Sequence, residues 1–133
     1  MIDVLIVDDH PVMRELLCQV VQRYSDLSVV AEAGYGEDAV GQATRLQPAV
    51  ALVDVHLPTM SGIETTRLIK LRSPLTVIIG LTANEPDDTD MAMLSAGANA
   101  VISKADLVHR LYPCILDACE KSKSCYLTFQ QVQ

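Results

Sequence analysis

The chain has 133 residues, half of them hydrophobic, and its 17 acidic and ten basic side chains give a net charge of −7. This length and apolar content exclude an intrinsically disordered chain and are typical of one globular domain. The acidic excess disfavours direct contact with the phosphate backbone of nucleic acids, and no apolar run reaches the roughly 20 residues that span a bilayer.

Five short apolar runs rich in β-branched residues recur along the chain and predict strands. The runs are Ile2 to Val7, Ser28 to Ala33, Val50 to Val53, Val77 to Leu81 and Ala100 to Ile102. The first, third and fourth contain stretches that are apolar on both faces, which is typical of parallel strands covered by helices on both sides. The second contains Glu32 and is expected at an edge of the sheet.

A helix is predicted after each of these runs. The apolar positions are Val12, Leu16, Val20 and Tyr24 in the first helix, Ala39, Ala43 and Leu46 in the second, Ile63 to Leu71 in the third, Met91, Leu94 and Ala98 in the fourth, and Leu107, Leu111 and Ile115 in the fifth. Pro11 suits the first turn of a helix, and Gly97 suits a helix C-terminus. The alternation predicts a (βα)₅ α/β fold with a doubly wound, parallel five-stranded sheet.

Polar side chains follow the carboxyl ends of the predicted strands, which is where doubly wound sheets bind ligands. They include Asp8, Asp9, Asp54, Thr82 and Lys104. If the first and third strands are neighbours, three carboxylates lie close together, and their repulsion favours a bound divalent cation or raised pKa values. Carboxylate oxygens without a His or Cys cluster favour Mg²⁺.

A carboxylate beside Mg²⁺ can attack a phosphoryl group and form an aspartyl phosphate. The Lys104 ammonium would then neutralise charge on the phosphoryl oxygens, and the Thr82 hydroxyl would donate to one of them. Ala83 directly after Thr82 is small enough to leave such a pocket open.

These motifs resemble the receiver domain of two-component response regulators, the CheY-like fold with strand order 2-1-3-4-5. The resemblance runs from Ile2 to about Cys119, and its motifs are Val4 to Pro11, Asp54 to Pro58 with Gly62, Leu81 to Ala83, Ala96 to Ala98, and Lys104. It implies that Asp54 is the phosphoacceptor. It also implies that Mg²⁺ is held by Asp8, Asp9, Asp54 and the backbone carbonyl of His56, and that Thr82, Ala83 and Lys104 bind the phosphoryl group.

The resemblance further implies phosphorylation by a sensor histidine kinase or a phosphotransfer protein, a homodimer, and a cytoplasmic location away from the membrane. It implies no enzyme activity beyond the domain's own phosphorylation and dephosphorylation. Asp9 to Pro11 and Val30 to Gly34 resemble the LuxR/NarL-type regulators more narrowly. Full-length members of that group control transcription through a C-terminal helix-turn-helix, so any DNA contact would come through a further domain.

The chain is accordingly divided into a receiver at 1–121 and a linker, or the start of an output domain, at 122–133. Tyr126-Leu127-Thr128 resembles the linker of the LuxR/NarL group, although Leu-Thr also opens its helix-turn-helix.

Two positions depart from the commoner receiver pattern. Ala105 stands where many receivers have a proline after the pocket lysine, so a trans Lys104–Ala105 bond and a slightly re-routed loop are expected. Val101 stands at the position of the switch aromatic. Switching is therefore expected to depend on Thr82 and on the segment from Asn84 to Ser95.

The residues leave other functions open. A stand-alone receiver would relay phosphate or a protein–protein signal. Gly34 to Ala39 fits the G-x-G-x-x-A fingerprint of dinucleotide-binding domains, although Glu37 and Asp38 would repel a pyrophosphate there. An aspartyl-phosphate phosphatase would typically need a carboxylate where His56 stands.

Without any CxxC pair, the four cysteines (Cys18, Cys114, Cys119 and Cys125) predict reduced thiols in the cytosol.

Overall fold

The five predicted strands form one parallel sheet. The computed structural model describes residues 1–83 and 88–132, with side chains as far as Ser122. The strands are β1 (Ile2–Val7), β2 (Leu27–Ala33), β3 (Val50–Asp54), β4 (Val77–Thr82) and β5 (Ala100–Ser103). Their order in the sheet is β2-β1-β3-β4-β5, which confirms the predicted fold.

A helix follows each strand. The helices are α1 (Pro11–Gln22), α2 (Gly36–Leu46), α3 (Gly62–Arg72), α4 (Asp88–Ala96) and α5 (Leu107–Val132). Pro11 lies in the first turn of α1, as predicted, because a proline there gives up no helical hydrogen bond. No helix in the described part of the chain, the long α5 included, is long and apolar enough to cross a membrane.

Two apolar cores cover the two faces of the sheet. Alternate residues of the central strands contribute to each: Val4 and Ile6 pack with α1 and α5, whereas Leu5 and Val7 pack with α2, α3 and α4. Every residue of β3 and β4 is buried, which explains why these runs are apolar on both faces. The edge position predicted for Glu32 is confirmed, since β2 pairs only with β1.

The buried face of α1 differs from the predicted stripe. Val12 and Leu16 are 81 % and 43 % exposed, whereas the buried residues are Leu17, Val20 and Val21. A strict four-residue spacing drifts by about 40° per step around a helix with 3.6 residues per turn. The series that begins at Val12 therefore cannot stay on one face, and a core face needs steps of three as well as four.

The fourth helix ends two residues before Ala98. Gly97 adopts φ 119°, and the N–H groups of Gly97 and Ala98 donate to the carbonyls of Leu94 and Met93. This left-handed turn satisfies the last carbonyls of the helix and suits glycine. The expected role of Gly97 as a helix terminator is confirmed, and the placement of Ala98 inside the helix is wrong.

The connection from β5 to α5 contains the expected trans bond after Lys104. Lys104–Asp106 forms one 3₁₀ turn in which the Ser103 hydroxyl oxygen accepts from the N–H of Ala105, and the Lys104–Ala105 bond is trans. Residues 84–87, the start of the predicted switch segment, lie outside the described residues, as do the side chains of Tyr126-Leu127-Thr128. The division at residue 121 stays a prediction.

Candidate functional site

Strand register brings two of the predicted carboxylates together. Val7 of β1 lies opposite Val53 of β3, so Asp8 and Asp54 emerge side by side at the carboxyl edge of the sheet. Both are buried. The Oδ1 atom of Asp8 accepts from the N–H of His10 at 2.9 Å, and Oδ1 of Asp54 accepts from the N–H of His56 at 3.0 Å. Each carboxylate is thus fixed by the loop that follows it.

Lys104 supplies the cation that faces these carboxylates. Its Nζ atom donates to Oδ2 of Asp8 at 2.9 Å and to Oδ2 of Asp54 at 3.2 Å. Burial raises the pKa of Asp54 above its usual value, although the His56 N–H and the Lys104 ammonium oppose the shift. Burial alone would lower the pKa of Lys104, but the two carboxylates together outweigh it and raise this pKa. The lysine is therefore a permanent cation in the pocket.

Asp9 completes an arrangement that suits a divalent cation. Ligand atoms of Asp8, Asp9, His10 and Asp54 all lie within 4.8 Å of one another. Oδ1 of Asp9 is shielded from solvent and accepts no hydrogen bond from the described residues. A buried carboxylate oxygen without a donor is unfavourable unless a cation offsets it. Because the other donors are mostly carboxylates, these residues fit Mg²⁺.

The remaining predicted residues lie at neighbouring strand ends. Thr82 is buried at the end of β4, opposite Ser103 of β5, and Ala83 follows it at the exposed rim. Val101 is half-buried and packs against the core on the α2–α4 face. The side chain of His56 is exposed beside the pocket.

Two residues at the site were not among the predicted site residues. Nδ1 of His10 lies 3.4 Å from Oδ1 of Asp8 and 3.2 Å from Oδ1 of Asp9, although its sequence separation from the other histidines made it look isolated. Arg14 donates from Nη1 to the backbone carbonyl of Asp8 at 2.7 Å. Their sequence positions give a partial signal, since His10 directly follows the acidic pair and Arg14 lies one helical turn further on, but the turn from β1 into α1 sets the direction of both side chains.

The segment that resembles a dinucleotide fingerprint has a packing role. A Cβ atom on Gly36 would collide with Oγ1 of Thr65 and lie 3.0 Å from Sδ of Met60, so this glycine allows α2 to pack against α3. Glu37 and Asp38 occupy the first turn of α2, where they would repel a phosphate. This geometry disfavours the dinucleotide alternative.

The cysteines with described side chains form no disulfide. Cys18, Cys114 and Cys119 are each partly buried. Burial raises the pKa of Cys18 to about 11, with a further contribution from Glu32, and burial also raises the pKa of Cys114. Thiols with raised pKa values are weak nucleophiles at neutral pH, which agrees with a packing role.

The sequence is similar to known signalling proteins. The profile of the response regulator receiver domain matches residues 4–112. A protein-glutamate methylesterase/protein-glutamine glutaminase of Syntrophus aciditrophicus is 43 % identical over 84 % of this chain and 33 % of its own length. Response regulator GacA of Pseudomonas viridiflava is 35 % identical over 78 % of this chain and 49 % of its own length. The chain thus spans between a third and a half of these relatives.

Solved structures share the fold. The response regulator domain of Thermotoga maritima CheB superposes with a TM-score of 0.84 and 29 % identity, over 90 % of this chain and 97 % of that one. A LuxR-family two-component response regulator from Aurantimonas sp. superposes with a TM-score of 0.78 and 28 % identity, over 86 % of this chain and 85 % of that one.

Proposed function

The chain belongs to the response regulator receiver domain family, and from that premise we propose that Asp54 accepts a phosphoryl group from a histidine kinase or a phosphotransfer protein. The observation that carries the proposal is the convergence of Asp8, Asp54 and Lys104 from three strand ends. Phosphoryl transfer depends chiefly on positioning and on neutralising the transferred oxygens. An ammonium already in contact with the acceptor carboxylate meets both needs.

The proposed step exchanges one bond to phosphorus for another. An oxygen of Asp54 attacks the phosphorus of a phosphohistidine, a P–O bond forms, and the P–N bond breaks as the imidazole leaves and takes up a proton from solvent. The N–H of His56 holds Oδ1 of Asp54 during this exchange. As the carboxylate becomes an acyl phosphate, the negative charge moves to the phosphoryl oxygens, and Lys104 can shift its contact from Asp54 to one of them.

Receiver domains use Mg²⁺ at an acidic pocket, and the residues of this pocket fit that ion. We propose that Asp8, Asp9 and Asp54 hold it, together with the backbone carbonyl of His56. Bound Mg²⁺ would supply positive charge to the phosphoryl oxygens. The shielded Oδ1 of Asp9, which accepts no hydrogen bond from the described residues, supports this assignment.

The acceptor is tested with Asp54→Asn. With acetyl phosphate and Mg²⁺, we expect intact-protein mass spectrometry to show one added phosphoryl group on the wild type and none on the variant. The amide keeps an oxygen that can accept from the His56 N–H, so the pocket geometry is retained. Asp117→Asn, which changes an exposed carboxylate on α5, is the matched control and should be phosphorylated normally. Equal labelling of Asp54→Asn would refute the assignment.

The same protein distinguishes a receiver from an aspartyl-phosphate phosphatase. His56, two residues after the acceptor, offers no carboxylate to act as acid or base. We therefore expect no sustained turnover of p-nitrophenyl phosphate. Steady release of nitrophenol that is lost in Asp54→Asn would instead favour the phosphatase.

We propose that Thr82 transmits the phosphorylated state and that Val101 does not. Val101 is β-branched with a stiff χ1 and packs against the core, so it can change its exposed area only slightly. Thr82→Ala should be phosphorylated yet fail to dimerise in response, whereas Val101→Ala should respond and lose only stability. Light scattering before and after phosphorylation measures both. The opposite pattern in folded, phosphorylated variants would contradict this mechanism.

For the output of the whole protein we propose control of transcription through a helix-turn-helix domain beyond Gln133. The Asp8-Asp9-His10-Pro11 motif and the LuxR-family neighbour support it. The methylesterase relatives favour a second candidate, a receiver that regulates a methylesterase domain. The codons downstream of Gln133 test both, because the two domains differ in length and motifs; a stop codon would indicate a stand-alone receiver. The proposed compartment is the cytoplasm, where cysteines stay reduced; the cysteines with described side chains form no disulfide.

A further inference from the structure

His10 presents a nitrogen to the acidic pocket. Its Nδ1 atom lies 3.2 Å from Oδ1 of Asp9 and 3.4 Å from Oδ1 of Asp8. Although His10 is the N-cap residue of α1, its side chain makes no capping hydrogen bond, so the imidazole is not used to terminate the helix. The ring is 70 % exposed, and its Nδ1 atom faces both carboxylates.

These separations match those between ligands on one cation. Adjacent ligands of an octahedral ion with bonds of about 2.1 Å lie about 3.0 Å apart. The Nδ1 atom of His10 meets this spacing toward both Asp8 and Asp9. Ligand atoms of Asp54 also lie within 4.8 Å of this set. The shielded Oδ1 of Asp9, which accepts no hydrogen bond from the described residues, lies closer to the imidazole nitrogen than Oδ1 of Asp8 does.

We propose that Nδ1 of His10 is a further side-chain ligand of the pocket, and that it raises the affinity of the pocket for nitrogen-preferring first-row transition cations relative to Mg²⁺. This inference rests on the proposed cation site at Asp8, Asp9 and Asp54. Mg²⁺ prefers oxygen ligands, whereas Ni²⁺ and its neighbours gain strongly from an imidazole. The histidine would therefore change the relative affinities of different ions, whereas the three carboxylates would still bind a cation without it.

A counter-ion role for His10 makes the opposite prediction. A protonated imidazole 3.2–3.4 Å from two carboxylates would form ion pairs and repel an incoming cation. Its removal would then strengthen the binding of every divalent cation. A ligand role predicts instead a selective weakening for the ions that favour nitrogen, so the sign of the change separates the two roles.

Calorimetric titration with Ni²⁺ and, separately, with Mg²⁺ tests the proposal on wild type, His10→Ala and His109→Ala. In His10→Ala, Ni²⁺ affinity should fall by about tenfold or more while Mg²⁺ affinity changes far less. His109→Ala removes an exposed imidazole on α5 and should match the wild type for both ions. An unchanged or increased Ni²⁺ affinity in His10→Ala, or an equal loss for both ions, would overturn the proposal.

Mn²⁺ provides a spectroscopic readout that does not depend on affinity. Spin-echo EPR of bound Mn²⁺ should show coupling to one imidazole nitrogen in the wild type and in His56→Ala, and none in His10→Ala. Coupling that survives in His10→Ala and disappears in His56→Ala would identify His56 as the ligand and refute the assignment. If no ion binds to the wild type, the acidic site itself fails; if Mg²⁺ binds and the nitrogen coupling is absent, only the role of His10 fails.

Discussion

Gly62→Ala is expected to lower the free energy of unfolding by about 3 kcal/mol or more. A Cβ atom at this position would collide with the carbonyl oxygen of Asp54 and lie 2.7 and 2.8 Å from Cα and the carbonyl oxygen of Val55. These are backbone atoms of a buried segment, and the N–H of Val55 donates to Leu81 of β4. Relief of the clash would require β3 to separate from β4 or α3 to move away from the site.

Urea unfolding followed by circular dichroism measures this loss, and Gly41→Ala is the matched control. Gly41 lies on the exposed side of α2, and a Cβ atom added there would have no neighbouring atom within 4 Å. Alanine there should raise the free energy of unfolding by about 0.5–1 kcal/mol through its higher helix propensity. A Gly62→Ala protein as stable as Gly41→Ala would show that the β3–α3 connection is more adaptable than its packing indicates.

Lys104→Met is expected to lower the free energy of unfolding by about 3 kcal/mol in buffer without divalent cations. Methionine retains much of the apolar stem, but it leaves the carboxylates of Asp8 and Asp54 without their cation. Their side chains are 0 % and 5 % exposed, so water cannot replace the ammonium effectively. Removing one member of a buried ion pair lowers the free energy of unfolding by more than the pair contributes, because the remaining charge stays buried without a counter-ion.

The matched control is Lys121→Met, which breaks an ion pair with Asp117 on the surface of α5. Both of its side chains are mostly exposed, and such pairs contribute about 0–1 kcal/mol. Adding Mg²⁺ should recover more stability in Lys104→Met than in the wild type, since the ion replaces the missing charge. The double variant Lys104→Met/Asp54→Asn also lacks one of the two carboxylates, so it should recover part of the lost free energy of unfolding. Similar effects of Lys104→Met and Lys121→Met would contradict this account of the pocket.

The layers of the fold and the carboxylate pair were predictable because both depend on local patterns. A strand that is apolar on both faces requires helices on both sides of the sheet, and the carboxyl ends of parallel strands share one edge. Once β1 and β3 are neighbours, Asp8 and Asp54 must meet. Lys104 was predictable for the same reason, since it follows β5 directly.

Features that depend on packing angle or side-chain direction were not predictable. The spacing of Val12 and Leu16 indicates a helix, but the way α1 crosses the sheet decides which residues are buried. His10 and Arg14 meet Asp8 only because β1 turns into α1 in one particular way. The need for glycine likewise comes from packing: a Cβ atom on Gly36 would meet the side chains of Met60 and Thr65, and one on Gly62 would meet the backbone of Asp54 and Val55.

The contact between Lys104 and Asp8 also has a consequence for protein synthesis. The two residues are 96 positions apart, and the contact from Lys104 to Asp54 spans 50 positions. At about 5–20 residues per second, a ribosome needs roughly 5–20 s to add the residues between Asp8 and Lys104. For about the second half of that interval, after Asp54 has been added, the nascent chain carries both carboxylates without the ammonium that faces them. The acceptor pocket is therefore assembled only when the last strand emerges, and a partly translated chain is not competent to receive a signal.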